Sequence, residues 1–173
     1  MKPAIRDIRI SDFDSIFENY LTYFDELSRN PSFGLLIPDR KPELAEEVDW
    51  FAELYKSYLS GSAIVSVAEI DGKVVGMCEV RHKTRQPESH RGVLGIAVLA
   101  TFRGRGIGSE LLSQTLLKCK GRFEIVELEV FSHNLAAKRL YERFGFKHIG
   151  RIPRAVKRGD GYIDADLMQL EIL

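Results

Sequence analysis

Arg103-Gly104-Arg105-Gly106-Ile107-Gly108-Ser109 packs glycine and arginine into the few residues between two apolar patterns. Upstream, an apolar run from Val93 to Leu99 stops abruptly; downstream, Ile107, Leu111 and Thr115, with Leu112, Leu116 and Cys119 beside them, form a stripe of helical spacing. The pattern predicts a strand, a glycine turn and a helix start. Glycines at a helix N-terminus leave backbone N–H groups open to an anion, and the helix dipole favours negative charge there. Two arginines in the same turn point to a phosphate. The spacing is not that of GxGxxG, because position 109 is serine, and no lysine follows as a Walker A loop requires.

Other residue types capable of chemistry lie further along. Asn134 and Tyr141 are seven positions apart, about two helical turns, and so share a helix face. Glu127 and Glu129 alternate on a predicted strand and share its face. Glu79, His82 and His90 are further proton acceptors. No histidine pair has the HxxxH spacing, and Cys78 and Cys119 stand alone, outside any CxxC. No metal site is expected, nor a disulfide framework.

The elements that must position these groups follow from periodicity. Ile5 to Ile10 alternates as a strand, and Ser11 is placed to cap a helix. That helix carries Ile16, Phe17, Tyr20, Leu21, Phe24 and Leu27 on one face, until Asn30-Pro31 breaks it. A second helix is expected from Pro42 to about Ser60, burying Leu44, Val48, Phe51, Ala52, Leu54, Tyr55 and Leu59. Ala63–Ile70 and Val74–Arg81 form a hairpin about Asp71-Gly72. Gly92 to Leu99 is apolar almost throughout, which predicts a central strand covered on both faces, with Gly95 marking a bulge or a close approach. After the glycine turn come a helix to about Gly121, a strand from Glu124 to Phe131, and a helix from Asn134 to Phe144 closed by Gly145. Strands from Phe146 to about Arg151 and from Gly161 to Ile172 finish the chain. The order βααβββαβαββ describes one mixed α/β domain over residues 1–173, with a central sheet of six to seven strands and four helices.

Composition narrows the partners. The 25 basic and 25 acidic side chains cancel, which argues against nucleic acid or an anionic membrane as a bulk partner. The N-terminus lacks an apolar signal segment, and no run reaches membrane-spanning length, so a cytoplasmic location is expected. Nothing in the sequence excludes a homodimer.

Arg103-x-x-Gly106-x-Gly108 resembles the pyrophosphate-binding motif of the GCN5-related N-acetyltransferases (GNAT), which bind acetyl-coenzyme A between the fourth strand and third helix. Asn134-x-x-Ala137-x-x-x-Tyr141-x-x-x-Gly145-Phe146 is similar to that family's downstream segment. The resemblance implies a GNAT fold. It implies that backbone amides from Arg103 to Ser109 (Gly104, Arg105, Gly106, Ile107 and Gly108 between them) ring the pyrophosphate. It also implies that Ile96, Ala97 and Val98 hold the thioester arm, with Asn134, Lys138, Tyr141 and Arg143 on the helix beside it.

The same resemblance casts Tyr141 as the acid that protonates the departing thiolate, and Glu129 matches a base position in the branch acting on protein N-termini. Each has a plainer alternative: a core tyrosine, a solvated strand glutamate and, for Asn134, a simple helix cap. An amine acceptor of pKa near 10.4 costs roughly 4–5 kcal/mol to deprotonate at pH 7, hence the interest in a base.

The acceptor end stays open. Asp39, Glu43, Glu46, Glu47 and Asp49 would attract a cation, whereas Arg151, Arg154, Lys157 and Arg158 would attract a carboxylate. The final hairpin is similar to those of small-molecule and amino-acid acetyltransferases, so a small amine or amino acid is the expected acceptor. A protein N-terminus or lysine, or a non-catalytic coenzyme A sensor, is the alternative.

Overall fold

The computed structural model describes residues 2–172. Seven strands form one sheet in the order β1-β2-β3-β4-β5-β7-β6. They are β1 (Ala4–Asp7), β2 (Ala63–Ile70), β3 (Lys73–His82), β4 (Arg91–Val98), β5 (Ile125–Phe131), β6 (Lys147–Arg158) and β7 (Gly161–Glu171). Helices α1 (Phe13–Arg29), α2 (Leu44–Leu59), α3 (Ile107–Cys119) and α4 (Leu135–Arg143) complete the predicted order. All strand pairs are antiparallel except β4–β5, because α3 carries the chain across as a right-handed crossover requires.

Two apolar clusters sandwich the sheet. On one face Leu111, Leu112, Leu116 and Cys119 of α3 pack with Tyr141 of α4 on Val80, Leu94, Val126, Leu128 and Met168. On the other, Ile16, Phe51 and Leu54 of α1 and α2 pack on Ala63, Val65, Val67 and Val74. The β2–β3 turn is of the primed type: Asp71 and Gly72 both take positive φ, 51° and 76°, matching the twist of a two-residue hairpin.

Four local expectations are corrected. β1 ends at Asp7, and Ser11 does not cap α1; a short 3-10 turn intervenes, and Asp12 there binds the Arg6 guanidinium and the Arg9 amide instead. α2 buries Glu47, Phe51 and Leu54 and leaves Leu44, Val48 and Leu59 exposed. Its apolar residues surround the helix, and the aromatic side, with Trp50, Tyr55 and Tyr58, takes the sheet. β4 is central but open on one face, where Val93 is 43% exposed, and Gly95 makes no bulge. β6 runs on to Arg158, beyond the expected Arg151, by passing Pro153 at a register shift where Arg154 adopts φ 54°.

Candidate active site

β4 and β5 pair only at Arg91↔Ile125, Gly92↔Val126 and Val93↔Glu127. Past that point they part, β4 staying on β3 as far as Val98 and β5 on β7 as far as Phe131. Three backbone bonds, at its two ends, set the phase of β4. The His90 carbonyl accepts from the Glu124 and Ile125 amides, and the Leu99 amide donates to the Val75 carbonyl at 3.0 Å. Alternation between them turns the backbone groups of Ile96 and Val98 to the opening and those of Ala97 to β3. Ala97, expected alongside its neighbours as a backbone contact, instead presents only its side chain, which packs near Tyr23 and Phe33.

The glycine turn stands at the head of this opening. Gly104 and Gly106 have φ of 73° and 82°, a region that β-carbons disfavour. Gly106 is the residue before the first turn of α3 and offers no side-chain cap. The first intrahelical bond runs from the Glu110 amide to the Gly106 carbonyl, so the amides of Ile107, Gly108 and Ser109 have no helical partner. The Ile107 side chain is core, leaving only its backbone to the turn. A β-carbon on Gly108 would touch Leu140 of α4 at 3.7 Å.

Arg103 does not point its guanidinium into the turn. Nε donates to the Val98 carbonyl at 2.8 Å, both terminal nitrogens grip Glu26 of α1, and the group lies over the Phe33 ring. Arg105 leans on Phe102, and Arg143 reaches Ser109 Oγ at 3.4 Å. Those two cations remain beside the uncapped amides.

Asn134 caps α4, its Oδ1 accepting from the Ala137 amide at 3.2 Å. Tyr141 is buried on the face of α4 toward the sheet, its ring 5.7 Å from that of Phe146. Burial holds its phenol protonated, far above the ordinary range. Lys138 is spent on Asp166, a fully buried carboxylate of β7. Asp166 also accepts from Ser132 and Arg151, whose pull holds it well below the usual carboxylate range.

The opposite face of the sheet carries the carboxylates. The registers set Arg81, Val93 and Glu127 in one cross-strand row; beyond it Glu79 pairs with Gly95 and Met77 with Ala97, while Glu129 and Phe131 follow on the same face of β5 after the strands have parted. Glu127 is neutralised by Lys83 and Arg91. Glu129 is exposed on β5. Glu79 lies deeper, and burial raises its proton affinity despite the Arg81 guanidinium beside it. Tyr141 and the carboxylates thus lie on opposite sides of the same opening. His82 belongs elsewhere: its ring packs 4.2 Å from that of Phe123, and its Nδ1 meets the Ser89 carbonyl. His90 sits at the start of β4, at the closed end of the opening.

Over these rows lies the segment joining α1 to α2. Arg158, buried although basic, donates to the Leu35 carbonyl at 2.6 Å and approaches Asp39 at 3.7 Å. His133 meets the Ser32 carbonyl at 2.8 Å. The basic hairpin read from sequence therefore supplies no basic wall: Arg158 anchors the loop, Arg151 binds Asp166, and Arg154 and Lys157 lie over the Tyr162 ring. Sequence reading missed the Arg158 anchor and the Asp166 hub, because neither has a local pattern. The Glu79-x-Arg81 spacing, two same-face residues of a strand, was the one available signal for that pair.

An uncapped, arginine-flanked helix start at the mouth of a split sheet is an anion-binding arrangement, and it stands in an α/β fold of the acyltransferase class. The profile of the acetyltransferase (GNAT) family matches residues 14–146, and the chain belongs to that family. It is 32% identical over 157 residues to an N-alpha-acetyltransferase of Sulfurisphaera tokodaii, covering 84% of this chain and 80% of that one. It is 34% identical over 104 residues to the L-amino acid N-acetyltransferase AaaT of Escherichia coli, covering 59% of this chain and 64% of AaaT, a little under two-thirds of the latter. In structure it resembles an N-acetyltransferase from Staphylococcus aureus Mu50, TM-score 0.84 at 22% identity over all of both chains. A phosphinothricin acetyltransferase from Sinorhizobium meliloti, solved in complex with acetyl-coenzyme A, gives 0.82 at 23% identity, over 99% of this chain and 89% of that one.

Proposed function

We propose that this chain transfers the acetyl group of acetyl-coenzyme A to a primary amine by direct attack within a ternary complex. The observation that carries the reading is the split between β4 and β5, with a buried tyrosine on one side and carboxylates on the other. Amides of Ile107, Gly108 and Ser109, with Arg105 and Arg143, suit the pyrophosphate. The thioester arm lies along Ile96 and Val98, whose outward amides polarise the carbonyl. The three uncapped amides, Arg143 beside Ser109 and the unpaired edge of β4 support the fit.

The chemistry then divides across the sheet. Glu129 takes a proton from the acceptor ammonium, directly or through water. The freed nitrogen attacks the thioester carbon, the C–S bond breaks, Tyr141 gives its proton to the departing thiolate, and the second proton shed by the attacking nitrogen returns through water to the Tyr141 phenolate. A phenol that burial keeps protonated is suited to the role of acid. Cys78 and Cys119 are buried in the α3–sheet core, where burial pushes both thiols up to about 12, so neither suits a covalent acyl carrier.

The proposed acceptor is a small molecule that carries a primary amine. Thiol release from acetyl-coenzyme A, followed with a panel of primary amines, tests the reading. Turnover with at least one amine is expected. Tight coenzyme binding without turnover of any amine refutes it in favour of a coenzyme sensor.

A further inference from the structure

On the cleft floor Gly95 stands beside the Glu79 carboxylate. Glu79 of β3 pairs directly with Gly95 of β4, and Glu129 lies two residues past Glu127, the last β5 residue paired with β4, on the same face of its strand. Gly95 is exposed and lies just past the last β4–β5 pair. The missing side chain leaves a notch at the apex of the opening. Glu79 lines it: its Oε1 is 3.6 Å from the place a β-carbon on Gly95 would occupy.

Arg81 holds this carboxylate in an uneven way. Both Nε and Nη2 approach the same oxygen, Oε2, each at 3.0 Å. The guanidinium is itself backed by the Trp50 ring at 5.8 Å. Glu79 is therefore fixed before any ligand arrives, with Oε2 satisfied and Oε1 turned to the notch. An ammonium has three donors and suits an oxygen of this kind.

The cations on the floor are committed. Among the described residues, every lysine and arginine of β3, β4, β5 and β7 is ion-paired: Lys73 with Glu18, Arg81 with Glu79, and Arg91 with Glu127. Arg158 above the floor is held by Asp39 and the loop carbonyls. A carboxylate placed next to the amino group would meet Glu79 and Glu129 with no cation to receive it, and like charges at such range repel.

We propose that Glu79 receives the acceptor's ammonium group through Oε1 and makes the cleft selective for primary amines without a carboxylate beside the amino group. The inference rests on the acetyl-transfer reading above and narrows its acceptor: an α-amino group must be amidated or peptide-linked, or the acceptor must be a plain alkylamine. Glu79 binds and orients the ammonium, while proton removal stays with Glu129.

The test uses the whole protein, acetyl-coenzyme A and matched acceptors. Alanine, phenylalanine and arginine are each compared with their amides and with tripeptides that begin with them, alongside phenethylamine. For at least one side chain the amide or tripeptide should exceed the free amino acid in kcat/KM by about tenfold or more, the effect of one charge-assisted contact or one unpaired charge. The lower KM of the two then tells small amine from peptide. Glu79→Gln should raise the KM for the preferred amine about tenfold while leaving the KM for acetyl-coenzyme A within twofold, and Glu79→Asp should recover part of the loss.

Free amino acids preferred over their amides overturn the proposal in wild-type protein, whether or not the variant folds. An unchanged amine KM in a folded Glu79→Gln also overturns it. No thiol release with any acceptor removes the transferase reading itself, and the inference with it.

Discussion

Replacing Asp166 with asparagine tests how α4 is held at the site. Asp166 is fully buried, and its two oxygens accept from Lys138 of α4, Arg151 of β6 and Ser132 of the β5–α4 turn, with His148 3.5 Å away. Asparagine keeps the shape but removes the charge, and it turns an amide donor toward cations. Breaking one side of a buried pair costs 3–5 kcal/mol. The lower end applies, because the Arg151 side chain is 51% exposed and water screens its share. About 3 kcal/mol, at roughly 2–4 °C per kcal/mol for a chain of this size, lowers Tm by about 6–12 °C.

The pH dependence has a definite sign. The native carboxylate is held below its ordinary value, chiefly by the Arg151 hydrogen bond. Its stabilisation is therefore present above the unfolded value of about 3.9 and drains as pH falls below it. The Tm gap between wild type and Asp166→Asn should be full at pH 7 and narrow steadily from about pH 4 downward. Thermal melts followed by circular dichroism at pH 7, 5, 4 and 3 measure it. A gap under 2 °C at pH 7, or one that does not change with pH, refutes the account of Asp166 as a charged hub.

Three substitutions probe the coenzyme and the chemistry. Gly106→Glu should abolish acetyl-coenzyme A binding in calorimetry, since it strains a φ of 82° and sets a negative charge beside the three uncapped amides; unchanged affinity would remove the pyrophosphate assignment. Tyr141→Phe should lower kcat about a hundredfold with little change in KM for the coenzyme, and a normal kcat would mean that water supplies the proton. In Glu129→Gln the fall of kcat/KM at low pH should be lost or displaced, so a pH–rate profile with the wild-type acid limb excludes Glu129 as the base.

The order of elements was legible because each boundary carries its own chemistry. Asp71-Gly72, Asn30-Pro31 and the left-handed Gly145 mark ends that local sterics decide. Faces were less legible where a pattern has two solutions. α2 has apolar residues all round, and only the packing of Phe51 and Leu54 against the sheet chooses between them. β4 reads as buried on both sides because Val93, Ala97 and Gly95 carry no charge. Their neutrality serves an open cleft floor rather than a covered core. The length of β6 was hidden by Pro153, which an edge strand tolerates at a bulge.

The site itself shows the same division. Backbone roles, those of Gly104, Gly106 and the Asn134 cap, are written in single residues, and spacing alone exposes them. Side-chain roles depend on partners far off in sequence. Arg103 is the motif residue that reads most directly as a phosphate ligand, yet it ties the turn to Glu26, 77 positions away. Its guanidinium joins three parts of the site at once: the Val98 carbonyl on the edge of the opening, α1 through Glu26, and the acceptor-side loop through the Phe33 ring. His133 and Arg158 hold that same loop from the α4 and β6 sides. The loop over the opening is thus braced from the glycine turn, so on the proposed reading a change at Arg103 should disturb acceptor binding as well as the turn. That coupling follows from contacts rather than from motif, and it is why the glycine-turn half of the candidate site is readable from sequence while the carboxylate half needs the fold.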